Sequence, residues 1–561
     1  MDENTLANQN GVEGALIAAY RTLDWNTAVG GAWGSAASNW VWGSVPSDDA
    51  HKGSEATDQP PITDIELYNW TTGQADGYIN DKWRAVYEGV NRANSAIRLL
   101  NQIRENQPGE ISDSDANGIR GEALFLRAHY HFEAWLMWEN VPYYTEDDET
   151  FRKSNQGVDV IGNIIADLDE AISLLPATPR NGEVGRADAW DARAFKGRVQ
   201  VYSGDYSGGL TTLRDVRTNG PFELEDNYHQ VWTGFSEFYN GPETILAYQA
   251  SSNDGAPSGN NANYGERLNF PHSGSPFGCC GFHQASQNLV NFFRVDAATG
   301  LPIVMNDPGT AFDASAAWNS SDAEFDAAAS AGVSVDPRLD WTVGRDGVPY
   351  KDWGPHDAGW IRQEAFGGPY SPKKNAHEQS SDAQSNVGWV PTQLNSVNIH
   401  IFRYADALLL LAEAEVEAGD LENAREIVNE IRTRAAQTAQ GPGTDRASIT
   451  VPIDDASITW ADYEVNTYPG PWTDQAFARQ AVRVERRLEL AMEGVRFFDL
   501  RRWGIAEQVL NTYSSVEQNR LTFLSGAAQY TQRYDRYPIP SVQIELSEEE
   551  GQQTLQQNSG W

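Results

Sequence analysis

The sequence predicts a mainly α-helical protein in which tetratricopeptide-like helix pairs form a scaffold and an irregular, loop-rich subdomain of short helices and hairpins is laid upon it. Three observations carry that expectation. Apolar residues recur at helical spacing in long, separated blocks. Two of those blocks share one helix–Gly-Asp–helix pattern. Between them, from about Pro221 to Pro391, Gly, Pro, Asn, Ser and aromatics dominate and no long helical pattern survives.

Taken in order, Val12–Leu23 reads as a first helix and Ile79–Ile103 as a long amphipathic one. Asn117–Trp138 follows, and Pro142 in NVPYY stops it, because proline offers no N–H to continue the ladder. Ile161–Leu175 and Ala187–Ser203 continue the series, and Ile401–Ala418, Leu421–Ala435 and Gln475–Glu493 resume it after the interruption. AFKGRVQVYSGDYSGGLTTLRDVR and LLLLAEAEVEAGDLENAREIVNEIR align without gaps. In each, a Gly (Gly204, Gly419) supplies a left-handed cap and the next Asp (Asp205, Asp420) caps the following helix. Such pairs stack to share a core, and these two lie too far apart to be tandem neighbours. The array is therefore expected to assemble from both ends of the chain. A structureless loop as long as the interruption would be implausible in a compact domain. The expected organisation is one unit over 1–561, with an N-terminal scaffold over 1–220, an irregular binding subdomain over 221–391 and a C-terminal scaffold over 392–561.

The apolar runs fall far short of a membrane span. The opening MDENTLANQNGVEGAL has neither a basic n-region nor an apolar h-region, so either no signal existed or the chain starts after its removal. With 41 basic and 79 acidic residues, net charge −38, nucleic acid is not expected as a partner, since phosphate neutralisation dominates affinity there. A solvated acidic surface explains the charge simply. The only cysteines, Cys279 and Cys280, are adjacent in FGCCGF, which leaves no disulfide framework and no Cys-rich zinc site. Two buried thiols and a vicinal disulfide in a Gly-flanked turn both stay open, the second requiring an oxidising compartment.

Catalytic signatures are missing: no His-Glu-x-x-His, no Gly-x-Ser-x-Gly, no phosphate-cradling Gly-rich loop, no Cys beside a His. His129 and His131, inside a helix, read as packed groups. Carboxylates abound, yet no spacing selects an acid/base pair. EDDET (146–150) offers oxygen ligands for a structural Ca²⁺ but lacks calcium-loop spacing, and a solvated loop is the better reading. No other metal or cofactor is expected.

The aromatics stand out, with 19 Trp, 22 Tyr and 20 Phe. Many Trp sit outside helices beside Gly, Asn, Asp or Pro: Trp33, Trp40, Trp42, Trp70, Trp318, Trp341, Trp353, Trp360 and Trp389. A flat ring matches the C–H face of a pyranose, and neighbouring amides or charged groups can bond its hydroxyls. No ligand charge is needed, which suits an acidic protein. Each such Trp taken singly is more readily a loop pinned to the core; two or three of the set are expected to stay exposed.

Several segments resemble the SusD/RagB family of Bacteroidetes surface glycan-binding lipoproteins, in order and from end to end. They are KWRAVYEGVNRANSAI, GEALFLRAHYHFEAWLMWENVPYY (with Gly121 at a usually small or polar position), and FHQASQNLVNFFRVDAATGLP (departing at Ala285 and Asn291). DPRLDWTV, RYADALLLLAEAEVEAGDLENAREIVNEIRTRA, VERRLELAMEGVRFFDLRRWG and the RYPIPSVQIELS…LQQNSGW ending, with Trp561 for Tyr, complete the set. The resemblance implies a SusD-like fold whose helix pairs form a right-handed superhelix, and a non-catalytic role. It implies an outer-membrane lipid anchor facing the cell exterior, and delivery of oligosaccharide to a SusC-like TonB-dependent transporter. No cysteine stands near Met1, so the anchor is expected to have been cut away with a signal region.

In the Val484 segment, Val484, Leu488, Ala491, Met492 and Val495 share one face. Its Arg and Glu residues are placed for i,i+4 pairs and buried Arg–carboxylate forks. The cluster is expected to hold the fold together and not to bind an anion. The resemblance places ligand contacts before the second helix and in the central region. Trp70 and Asn69 are the choice from the first; Trp318, Trp353, Trp360 and Tyr350 from the second. Tyr68, Asp352, Arg362 and Gln363 are candidate hydroxyl partners, and Cys279–Cys280, if oxidised, a stiff platform edge. A neutral polysaccharide is expected, with a β-glucan such as laminarin first and starch, other glucans, mannan and xylan open. The rivals are a helical glycoside hydrolase or lyase, and a peptide-binding tetratricopeptide scaffold.

Overall fold

The computed structural model describes residues 7–24, 33–305, 334–387 and 391–561. Its long elements are helices: α1 (Gln9–Tyr20), α2 (Gly73–Asn106), α3 (Asp113–Trp138), α4 (Val160–Leu174), α5 (Ala189–Tyr202), α6 (Tyr206–Asn219), α7 (Tyr404–Ala418), α8 (Leu421–Ala435), α9 (Gln475–Leu490), α10 (Arg496–Arg502) and α11 (Ala506–Glu517). Each of α2 to α6 packs on the next, α6 packs on α7, and α7 packs on both α8 and α9. The two ends of the chain thus meet at α6 and α7 to complete one mainly-α array.

The caps explain the boundaries. Gly204 (φ +87°) and Gly419 (φ +85°) take the left-handed conformation that ends α5 and α7. Asp205 then accepts from the Gly208 N–H at 2.9 Å to start α6, and Asp420 accepts from the Asn423 N–H at 3.4 Å to start α8. Asp188 and Asp191 form a reciprocal capping box at the start of α5.

Two expected elements differ. The α9 helix ends at Leu490, where Ala491 turns extended and Met492 takes φ +64°, so Ala491, Met492 and Val495 do not continue its helical face. Residues 401–403 belong to a strand, not to the helix that follows. Strands are short and paired in twos: β1 (Ala50–Gly53) with β3 (Phe282–Ala285), and β2 (Thr244–Tyr248) with β4 (Ile399–Arg403), both antiparallel. The β-branched and aromatic run IHIF suits a strand, and its pairing with β2 overrides an apolar pattern that also continues helically into α7.

The Arg/Glu-rich α9 is tied into the fold through its charges. Glu489 is fully buried and accepts from Arg338 (2.9 Å), Arg403 (2.7 Å) and Arg434. Glu485 pairs with Arg338 (2.8 Å) and Arg432 (2.9 Å), and Arg403 and Lys374 both reach Glu493. On the other side Arg486 holds Asp406 and Asp499, while Arg487 and Arg496 hold Asp48. One helix thereby ties together the DPR segment of the central region, β4, α8 and the loop before β1. The pairs are internal, so the cluster is structural.

Candidate functional site

The spine of the site is the loop over residues 270–281. Cys279 and Cys280 are joined by a vicinal disulfide, with a cis peptide between them and Gly278 (φ +79°) and Gly281 (φ +75°) on either side. The Gln393 amide donates to the Cys279 carbonyl and lies 3.3 Å from Cys280 Sγ. Thr392 Oγ1 donates to the Phe277 carbonyl at 3.0 Å. Phe277 is fully buried and meets Trp353 at 5.0 Å, Phe270 at 5.2 Å and Tyr350 at 5.7 Å between ring centroids. At the other end of the loop, the His272 N–H donates to the Trp360 carbonyl at 2.7 Å.

This packing brings Tyr350, Asp352, Trp353, Trp360, Arg362 and Gln363 to one region, in unequal roles. Trp353 is half-buried; its Nε1 donates inward to the His377 carbonyl at 2.8 Å, which fixes the ring while part of it meets solvent. The Asp352 carboxylate accepts from the Gln379 N–H (2.6 Å) and Ser380 N–H (2.8 Å), pinning the neighbouring loop. Arg362 is exposed at the rim, paired with Asp58 at 2.7 Å and donating to Ser54 at 2.9 Å; Gln363 beside it is exposed. Tyr350 is fully buried with its hydroxyl on the Pro372 carbonyl, and Trp360 is 7% exposed. Both correct the expectation of open rings: they support the loop from beneath.

An ion pair lies below this region. Lys351 meets Glu378 at 2.9 Å, and His229 reaches the same carboxylate at 2.8 Å. Burial penalises the Glu378 charge, yet Lys351 and His229 outweigh it and hold the carboxyl well below the usual range. Burial pushes His377 down to about 4 and His356 down to about 3, so both are neutral at pH 7. Beneath Tyr350, buried Lys373 bonds the Pro349 carbonyl at 2.8 Å, and burial lowers its pKa to about 7. The result is a stiff, part-aromatic surface, fit for an uncharged, hydroxyl-bearing ligand.

The first expected patch lies elsewhere and is closed. Trp70 is 0% exposed, stacked on Tyr537 at 4.1 Å and near-parallel to Trp561 at 5.8 Å, with Nε1 on the Ile65 carbonyl. Tyr68 is buried against Trp70, Tyr530 and Tyr534 and donates to the Pro46 carbonyl at 2.8 Å. Trp70 and Tyr68 are therefore core residues clamping the C-terminal segment, and half-buried Asn69 sits beside them, away from the loop site. Trp40, Trp42 and Trp341 are buried as well. Trp318 and Trp389 lie outside the described residues. Of the loop tryptophans singled out, Trp33 and Trp353 are the half-buried ones among the described residues.

Sequence reasoning passed over Phe277, Thr392, Gln393, Gln379 and Tyr264. Trp33 stacks on Tyr264 at 6.3 Å with planes 6° apart. Phe277 was within reach, two residues before the Cys pair; the others carry no local signal. The EDDET loop does not present a calcium site: Glu146 is bound by Arg120 and Arg127, and Asp148 by Lys153 and the Thr145 N–H. Among the described residues no group of three His, Cys, Asp or Glu converges as for a metal, and no helix is long and apolar enough to cross a membrane.

Comparison with known proteins adds the following. The family model described as SusD family matches residues 242–561, and one described as starch-binding associating with outer membrane matches residues 37–201. SusD-like protein P38 of Formosa agariphila is 24% identical over 495 residues, covering 86% of this chain and 83% of its own. SusD-like protein P25 of the same organism is 22% identical, covering 84% and 77%. A laminarin-binding SusD-like protein superposes with TM-score 0.65 at 22% identity, over 99% of this chain and all of its own. Surface glycan-binding protein A of Bacteroides thetaiotaomicron, solved with laminarihexaose, gives 0.61 at 18% identity, over 98% and 99%. These likenesses establish a shared fold.

Proposed function

Because the chain belongs to the SusD family, we propose that it is a non-catalytic glycan-binding protein of the outer-membrane surface. It captures neutral polysaccharide or oligosaccharide at the 270–281 loop and passes it to a SusC-like TonB-dependent transporter. A lipid anchor tethers it, facing the cell exterior. The observation that carries this reading is Trp353: a ring held by its own N–H, part-open to solvent, beside a disulfide-stiffened loop. Arg362, Gln363 and the exposed Gln379 and Ser380 are the hydroxyl partners within the same loops. Trp318 is kept as a second stacking ring.

Laminarin leads among the candidate ligands, because two solved relatives of the same fold are described with laminarin or laminarihexaose. A single stacking ring contributes roughly 1 kcal/mol, so affinity rests on several sugars engaging at once and lies at about micromolar to millimolar Kd. The hydrolase alternative needs two working carboxylates. Asp352, the one carboxylate among the selected residues, already accepts from two backbone N–H groups. Affinity electrophoresis against laminarin, starch, mannan and xylan, with product analysis after long incubation, tests the reading. Retardation by a neutral glycan without oligosaccharide release is expected; release of cleaved sugar, or retardation by none of them, overturns it.

A further inference from the structure

A second cleft, of about 780 Å³, lies between α2, the loop over 144–151 and the C-terminal segment over 543–555. None of the residues of the loop site lines it. Trp83, 5% exposed, is packed at its base, and Tyr87 and Tyr144, both half-buried, meet edge-to-face at 5.5 Å. Phe151 is 69% exposed and Leu546 56% exposed; both line the cleft. Two of the most exposed large apolar side chains in the described molecule therefore flank a single depression. Large apolar side chains grouped at one depression mark a binding surface in a way that scattered ones do not.

The walls are built and not incidental. Asn94 donates to the Tyr144 carbonyl at 3.1 Å while accepting from Arg127 at 2.9 Å, which fixes the loop to α2 and α3. The Tyr144 hydroxyl donates to the Phe151 carbonyl at 2.6 Å, and Lys153 holds Asp148 at 2.8 Å. The cleft keeps its shape through these bonds, so a ligand need not order it.

The lining also selects a class of ligand. Exposed Asn91 and Arg98 lie 3.5 Å apart, Arg98 also donating to Ser95 Oγ at 3.2 Å and to the Glu146 carbonyl at 3.4 Å, and the exposed Asp147 and Glu149 line the same cleft. Both charge signs, an amide and aromatic rings line one volume. Of the four lining carboxylates, Glu146 is held by Arg120 and Arg127 and Asp148 by Lys153, which leaves Asp147 and Glu149 beside Arg98. That excess disfavours an anion, and the polar groups disfavour a wholly apolar ligand. A neutral polyhydroxylated ring, apolar on one face and hydroxylated at its edge, satisfies all of these groups. We propose that this cleft is a second saccharide-binding site, taking a segment of neutral oligosaccharide between Phe151, Tyr144 and Asn91. The inference rests on the glycan-binding reading above and adds to it a site that shares no lining residue with the Trp353 loop.

The test titrates wild type, W353A, F151A/N91A and the combined variant by calorimetry. The probes are hexasaccharides of β-1,3-glucan, α-1,4-glucan, β-1,4-mannan and β-1,4-xylan, with thermal melts confirming that each variant is folded. Phe151 and Asn91 are exposed, so their removal should leave the melts unchanged. W353A protein is expected to retain residual binding of the recognised hexasaccharide, and F151A/N91A added to it is expected to weaken that residue at least fivefold. Residual binding indifferent to F151A/N91A, or wild-type binding lost entirely in W353A, overturns the second site while the glycan-binding reading stands. Absence of binding to wild type by every probe overturns both.

Discussion

Replacing Glu489 by glutamine perturbs the point where the chain's distant parts are tied. The surrounding network holds five cations, Arg338, Arg403, Arg432, Arg434 and Lys374, against five carboxylates, Asp336, Glu243, Glu485, Glu489 and Glu493. Burial penalises the charge of Glu489, but Arg434, Arg403 and Arg338 outweigh that penalty and keep the carboxyl far below its ordinary pKa. Glutamine leaves a buried excess cation and turns an amide N–H₂ toward guanidinium donors. Breaking a buried ion pair from one side costs about 3–5 kcal/mol. With a urea m-value of about 3 kcal/mol/M or more for a chain this long, the midpoint should fall by about 1 M. The control is R104A, which removes a surface pair whose partners are 41% and 87% exposed and should cost about 0–1 kcal/mol. Urea unfolding followed by tryptophan fluorescence reads both. An E489Q midpoint no lower than that of R104A would refute the reasoning that α9 organises the fold through its charges.

Three further outcomes follow from the same geometry. His51 is buried between Glu66 (2.9 Å) and Glu517 (3.4 Å); burial lowers its pKa, but its hydrogen bonds to Glu517 and Glu66 prevail and raise it to about 9. Its folded pKa exceeds the unfolded value of 6.5, so its contribution is full below about pH 6.5 and lost as pH rises through about 9. The urea midpoint of H51Q should therefore show less decline than wild type over that window. W70A should destabilise by about 3–5 kcal/mol as a core deletion, yet leave glycan affinity of the folded fraction unchanged, checked by melting and by calorimetry on the same sample. G494A should also destabilise: Gly494 sits at φ +72°, and a Cβ added there would run into the Ser38 carbonyl, so a side chain is both strained and crowded, and a lowered melting temperature is the readout.

Much of the scaffold was legible because its signals are local. Gly204-Asp205 and Gly419-Asp420 mark helix ends by backbone conformation and capping alone, and the structure uses both pairs so. The Arg and Glu residues of α9 were legible as internal pairs because a repeated alternation of opposite charge on an otherwise apolar helix has few other stable solutions. The start of the seventh helix was not, since IHIF satisfies a strand and a helix equally until its partner β2 is known. The site was only half legible. Trp70 and Trp353 look alike in sequence, each a tryptophan flanked by small and polar residues in a loop. What separates them is the far end of the chain: Tyr537 and Trp561 close over Trp70, while nothing described closes over Trp353 to the same extent. That contact spans hundreds of residues, and no local pattern encodes it.

The central claim is that a rigid, part-open tryptophan in the 270–281 loop region grips neutral saccharide. Calorimetric titration of wild type and W353A with the glycan that retards the protein tests it most directly. The account predicts a folded W353A protein with a lowered melting temperature, since the ring packs on Phe277 and bonds the His377 carbonyl, and an affinity weakened about fivefold to tenfold, the equivalent of losing about 1 kcal/mol of stacking. Equal affinity in a folded W353A protein would contradict it.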